Sequence, residues 1–150
     1  MNYPNSVKAY SRASHTVSKT RQLVMLYDGA IRFMQQGVEA IETRDFETRY
    51  NKLTRVSDIL IGLQSCLDFE VGGDTAKVLY DFYSSIDLRI FAIHRTNDLE
   101  ECRKIIVQLK EMRDTWDAID RGPETKPEVA AEQSTASATP AGGDSITVSA

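Results

Sequence analysis

The chain is poor in residues that do chemistry. Its 150 residues hold two cysteines, two histidines and one tryptophan. Their spacing matches no zinc site. Neither His15 nor His94 follows a glutamate by three places, which removes the helix-borne di-metal motif of ferritin-like bundles. There is no glycine-rich phosphate loop, and Gly72-Gly73 reads as a turn between helices. Catalytic residues, cofactors and metals are therefore not expected. No apolar run approaches the ~20 residues that cross a bilayer, and the opening MNYPNSVKAYSRAS lacks the apolar core of a signal peptide. Basic excess is missing too. The net charge is −4, and residues 123–150, with four acids and one lysine, carry −3 of it. Nothing here suits nucleic acid or insertion into a membrane. These absences point to the cytosol, where Cys66 and Cys102, each on an apolar face, are expected to be reduced core thiols.

Helical period is what the chain has in abundance. A hydrophobic fraction of 41% can supply one core, and one domain is the natural count for this length. From Leu23 to Ile41, the residues Val24, Tyr27, Ile31, Met34, Val38 and Ile41 recur at alternating steps of three and four. That is the seam of a helix packed on other helices. The columns Leu23/Ala30/Gly37 and Leu26/Phe33/Ala40 flank it. At about 100° per residue the apolar arc is roughly 160° wide, enough for two neighbours. Ser18 is the expected cap of this helix.

Three more helices follow. Asp45 caps the second, with Phe46, Leu53, Val56, Leu60, Leu63 and Leu67 as its seam and Gly72-Gly73 as its stop. Asp74 caps the third, about 75–95, along Ala76, Leu79, Tyr83, Ile86, Ile90 and Ile93. Asn97-Asp98 ends it, and Asp98 with Glu101 resembles a capping box opening the fourth. That helix runs through Leu99, Cys102, Ile105, Leu109, Met112, Trp116 and Ile119 to Gly122-Pro123. The expected fold is all-α, an antiparallel up-and-down four-helix bundle over 18–121. Residues 1–17 form a short tyrosine-bearing segment ahead of it. Residues 122–150, rich in Ala, Ser, Thr, Pro and Gly, form a tail too polar to offset its ordering entropy, so it is expected to be disordered.

The third helix carries more apolar surface than its seam uses. Tyr80, Leu88 and Phe91, with Ser84 among them, lie on a second stripe roughly 130° from the seam centre. Tyr50 and Ile61 on the second helix can form a facing wall. Two readings are open. A neighbouring helix or the N-terminal segment buries the stripe, or the stripe is a docking groove for another polypeptide. His94, near the end of the third helix, reads as a cation at a helix C-terminus. A phosphotransfer bundle centred on it is one alternative function, and a homodimer pairing stripe with stripe is another.

Four motifs add a resemblance. MLYDGAIRF (Met25–Phe33) resembles the first-helix signature of the flagellin-specific flagellar export chaperones, and LKEMRDTWDAI (Leu109–Ile119) resembles that family's closing motif. Ala9-Tyr10 stands where its N-terminal tyrosine motif would, and Asn97-Asp98 matches its turn before the last helix. The likeness runs from residue 1 to about 121 and leaves out the tail. The family's Leu-Tyr pair fits at Leu79-Tyr80 or at Phe82-Tyr83, so either tyrosine can face the groove. The resemblance implies a cytosolic chaperone, monomeric without client. Its hydrophobic grooves would take the C-terminal segment of flagellin, prevent early polymerisation and deliver it to the export gate of the flagellar type III apparatus. It also implies that Tyr10 and Val7 cover part of the groove when no client is bound.

Overall fold

The computed structural model describes residues 17–122. The expectations for Val7, Tyr10 and the tail lie outside them. Four helices follow one another: α1 (Lys19–Glu42), α2 (Phe46–Ser65), α3 (Phe69–Thr96) and α4 (Leu99–Arg121). No strand occurs among the described residues, and no described helix is long and apolar enough to cross a membrane. Residues 1–120 form one unit and 121–150 a second, of which Arg121 and Gly122 are described.

Local chemistry sets most of the ends. Ser18 accepts from the Arg21 N–H at 3.0 Å and Asp45 from the Thr48 N–H at 3.1 Å, two N-caps that satisfy otherwise orphaned donors. Asn97 adopts the left-handed conformation that closes α3. Asp98 accepts from the Glu101 N–H at 3.1 Å, but the Glu101 carboxylate takes Arg89 of α3. That carboxylate is thereby engaged across the α3/α4 interface.

The α2–α3 junction departs from the sequence reading. Helix α2 stops at Ser65, and α3 begins at Phe69 under an Asp68 cap that accepts from both Glu70 and Val71 N–H. Gly72-Gly73 is therefore not the stop of α2; a short helical turn capped by Asp68 precedes it, and the long run of α3 resumes after Gly73, where the sequence places its start. Gly73, at φ 50° and ψ −126°, breaks the helix internally in a conformation open to glycine and little else. Ending α2 early also leaves Cys66 exposed at its C-cap, while Cys102 is buried as expected.

Helix α2 packs between α1 and α3. The approach to α1 is close: a Cβ at Gly37 would lie 2.9 Å from Leu53 Cδ2. Helix α4 is tied to α1 by Arg21–Asp117 at 3.0 Å, Asp28–Arg113 at 3.0 Å and Glu42–Arg103 at 3.4 Å. Residue numbers fall on one helix as they rise on the other, so the two run antiparallel. Such exposed pairs stabilise by at most about 1 kcal/mol each. Apolar burial holds the bundle.

The seams meet as one core containing Tyr27, Met34, Leu53, Val56, Leu60, Tyr83, Ile86, Ile90, Ile105 and Leu109. Across its diagonal, the Tyr27 and Tyr83 hydroxyls are hydrogen-bonded at 2.7 Å. Burial pushes both phenols above their ordinary range, so both stay neutral. The Trp116 indole approaches Tyr27 without reaching hydrogen-bond geometry. Phe46 and Ile119, read as seam residues, are exposed near opposite ends of their helices.

Candidate functional site

The surplus apolar side chains face water. Leu88 and Phe91 are each 71% exposed, Tyr50 and Ile61 each 55%, and Tyr80 44%. The bundle's described helices do not bury the stripe.

The five residues share one side of the molecule. Gln64 of α2 donates through Nε2 to Ser84 Oγ at 2.6 Å and to the Tyr80 carbonyl at 3.3 Å. Further along, the Tyr50 ring lies 5.3 Å from the His94 imidazole, centroid to centroid. Gln64 thus opposes Tyr80 and Ser84, and Tyr50 opposes His94, the order required of antiparallel neighbours. Tyr50 and Ile61 border the α2 side, with Tyr80 and Phe91 on the α3 side. Leu88 stands on the outer shoulder of α3. Gln64 and Ser84 meet between the two helices, and Ser57 and Asp87 are half-buried like them. The result is a shallow groove with greasy walls and a floor of small or polar residues.

Each end has its own chemistry. At one, Phe69 meets Tyr80 edge-on at 5.9 Å, and beyond it a cavity of about 300 Å³ opens among Leu67, Val71, Leu79, Tyr83 and Trp116. At the other, Arg49 donates to Asn97 Oδ1 and lies over the Phe46 ring. His94 there is half-buried, and its burial, then Arg49, hold the imidazole below its ordinary pKa. It is therefore mostly neutral near pH 7, and the C-terminal cation read from the sequence is corrected. Loss of water, then the nearby guanidinium, disfavours the charged ring.

The structure also separates the two tyrosines that the sequence left open. Tyr80 faces the groove side, whereas Tyr83 is committed to the core through Tyr27. Phe69 and Val71, both exposed, are apolar surface that the sequence hides, because Leu67 and Gly72-Gly73 read as the end of α2. Asp68, a helix-capping residue type directly ahead of them, is the sequence signal that points to them.

Among the described residues no group of acidic, histidine or cysteine side chains could hold a metal ion.

The comparisons with known proteins agree on one family. A family model described as "Flagellar protein FliS" matches residues 3–123. A flagellar secretion chaperone FliS of Vibrio cholerae is 32% identical over 119 residues, covering 76% of this chain and 88% of that protein. Its counterpart from Campylobacter jejuni is 28% identical over 109 residues, covering 72% and 85%. The matched region takes in all four helices and the groove between α2 and α3. The chain therefore belongs to the FliS family of flagellar secretion chaperones, and works as a flagellar export chaperone rather than as an enzyme.

Proposed function

We propose that this chaperone binds the C-terminal segment of flagellin along the α2/α3 groove, in the cytosol. Binding there keeps the filament protein from polymerising and delivers it to the flagellar export gate. The observation that carries this reading is the row of exposed apolar side chains, Tyr50, Ile61, Tyr80, Leu88 and Phe91, on one face of a bundle already filled inside.

The energetics are consistent with it. A client segment that folds as it binds loses about 2–5 kcal/mol or more in ordering. Each large apolar side chain returns about 1.5–3 kcal/mol when fully buried. Five such residues on this side, partly covered, with their counterparts on an amphipathic client helix, supply enough. The family resemblance gives Val7 and Tyr10, which lie outside the described residues, the role of a tethered stand-in for the client, acting at high effective concentration. The homodimer remains the other use of such a stripe. The phosphotransfer alternative needs a solvent-exposed imidazole, and the half-buried His94 speaks against it.

Mixing the chaperone with full-length flagellin, and with flagellin lacking its C-terminal segment, tests the reading. A one-to-one complex with the first and none with the second is expected on sizing columns with light scattering. Equal binding of the truncated form, or a chaperone dimer indifferent to flagellin, would overturn it.

A further inference from the structure

The end of the groove at Tyr50 has a feature that simple adhesion does not use. His94 forms the wall there with its ring against Tyr50, and its Nδ1 is buried without a hydrogen-bond partner. One turn before it stands the exposed Phe91. The Arg49 Nε, across on α2, is likewise buried and unpartnered, so the guanidinium beside the imidazole is only partly engaged. A titratable ring is thus set between two candidate contact residues, next to a fixed positive charge.

From this geometry we infer that His94 is itself a client-contact residue and that the client is held only while its imidazole is neutral. The inference rests on the α2/α3 groove being the client site. A segment lying across Tyr50 and Phe91 removes the remaining water from the imidazole between them. Desolvation disfavours the cation, and the Arg49 guanidinium repels it. The charged groups acting on the ring are Arg49 from α2 and Asp87 from its own helix. Tyr50 is the titratable side chain stacked against it. Burial and Arg49 already depress the imidazole's pKa in the free protein, and Asp87 partly opposes them.

The sign follows from linkage. If binding lowers the pKa further, the complex binds fewer protons than the free chain. Affinity is then full above the free-state pKa and falls as pH drops through it. The fall is about tenfold for each unit by which the client depresses that pKa. Such coupling provides for release on protonation, with no change of fold.

The test is fluorescence anisotropy of a labelled peptide from the C-terminal segment of flagellin, titrated with the full chain between about pH 8 and about pH 5.5, the range that brackets a histidine. Far-UV circular dichroism at each pH restricts the comparison to folded protein. Affinity is expected to fall on acidification in the natural chain, and His94→Gln is expected to flatten the profile whatever its absolute affinity. Asp87→Asn, which leaves the histidine but removes the carboxylate favouring its cation, should move the fall to lower pH. A profile that is flat in the natural chain, or equally steep in His94→Gln, overturns the inference while leaving the groove reading intact. Failure to bind the peptide at any pH removes both.

Discussion

Leu88→Glu combined with Phe91→Glu is expected to weaken flagellin binding by at least about 100-fold and to leave the melting temperature within a degree or two. Both side chains are largely exposed in the free chaperone, so folding gains little from them. In the proposed complex they are covered. Losing the burial of two large apolar residues removes at least about 3 kcal/mol, and each tenfold in affinity corresponds to about 1.4 kcal/mol. The introduced carboxylates add a desolvation penalty of their own. Glutamate is a good helix former, so α3 is retained. Isothermal titration with the C-terminal segment reads the affinity, and thermal denaturation reads the fold. If the double variant binds as the natural chain does, the client lies elsewhere.

The neighbouring residue should give the opposite pattern. Ile90 is fully buried between the same two groove residues in sequence, packed within the core that contains Tyr83 and Ile86. Ile90→Ala removes apolar atoms and leaves a cavity that the surrounding helices close only in part. The expected loss is about 2–5 kcal/mol. For a bundle of this size that lowers the melting temperature by roughly 8 °C or more. At a temperature where the variant is still folded, its affinity for the client should stay within a few-fold of normal. A stable Ile90→Ala variant would mean that α3 is not packed through this face. A large loss of affinity in folded Ile90→Ala would show that core and groove cannot be varied separately.

The contrast between positions 90 and 91 explains why much of the fold was legible in the sequence. Steps of three and four select one side of a helix, and a bundle interior rewards that side alone. Val24, Tyr27, Ile31 and Met34 were read this way and are buried, as are Leu53, Val56, Leu60 and Leu63. Periodicity also marked Tyr80, Leu88 and Phe91 as surplus. It could not say whether another helix covers them, because that depends on where neighbouring helices sit. The structure leaves them open.

Helix ends were less legible, for identifiable reasons. Gly72-Gly73 is a loud stop signal, yet a single Asp68 side chain accepting two backbone N–H groups starts α3 at Phe69, about six residues before the expected start. Cys66, on the apolar face of a longer α2, becomes the exposed cap of a shorter one. The apolar period of α4 continues to Ile119, where the residue is left exposed. His94 is a case of competing terms. Its position at the end of α3 favours a cation, but burial and the Arg49 charge are tertiary effects that the local sequence does not display.

Site-specific photo-crosslinking tests the central claim most directly. With benzoylphenylalanine in place of Leu88, irradiation of the chaperone with full-length flagellin should yield an adduct within flagellin's C-terminal segment. The same probe in place of Glu39, on the exposed face of α1, should yield little or none. A complex that forms but crosslinks from position 39 and not from position 88 would contradict the account.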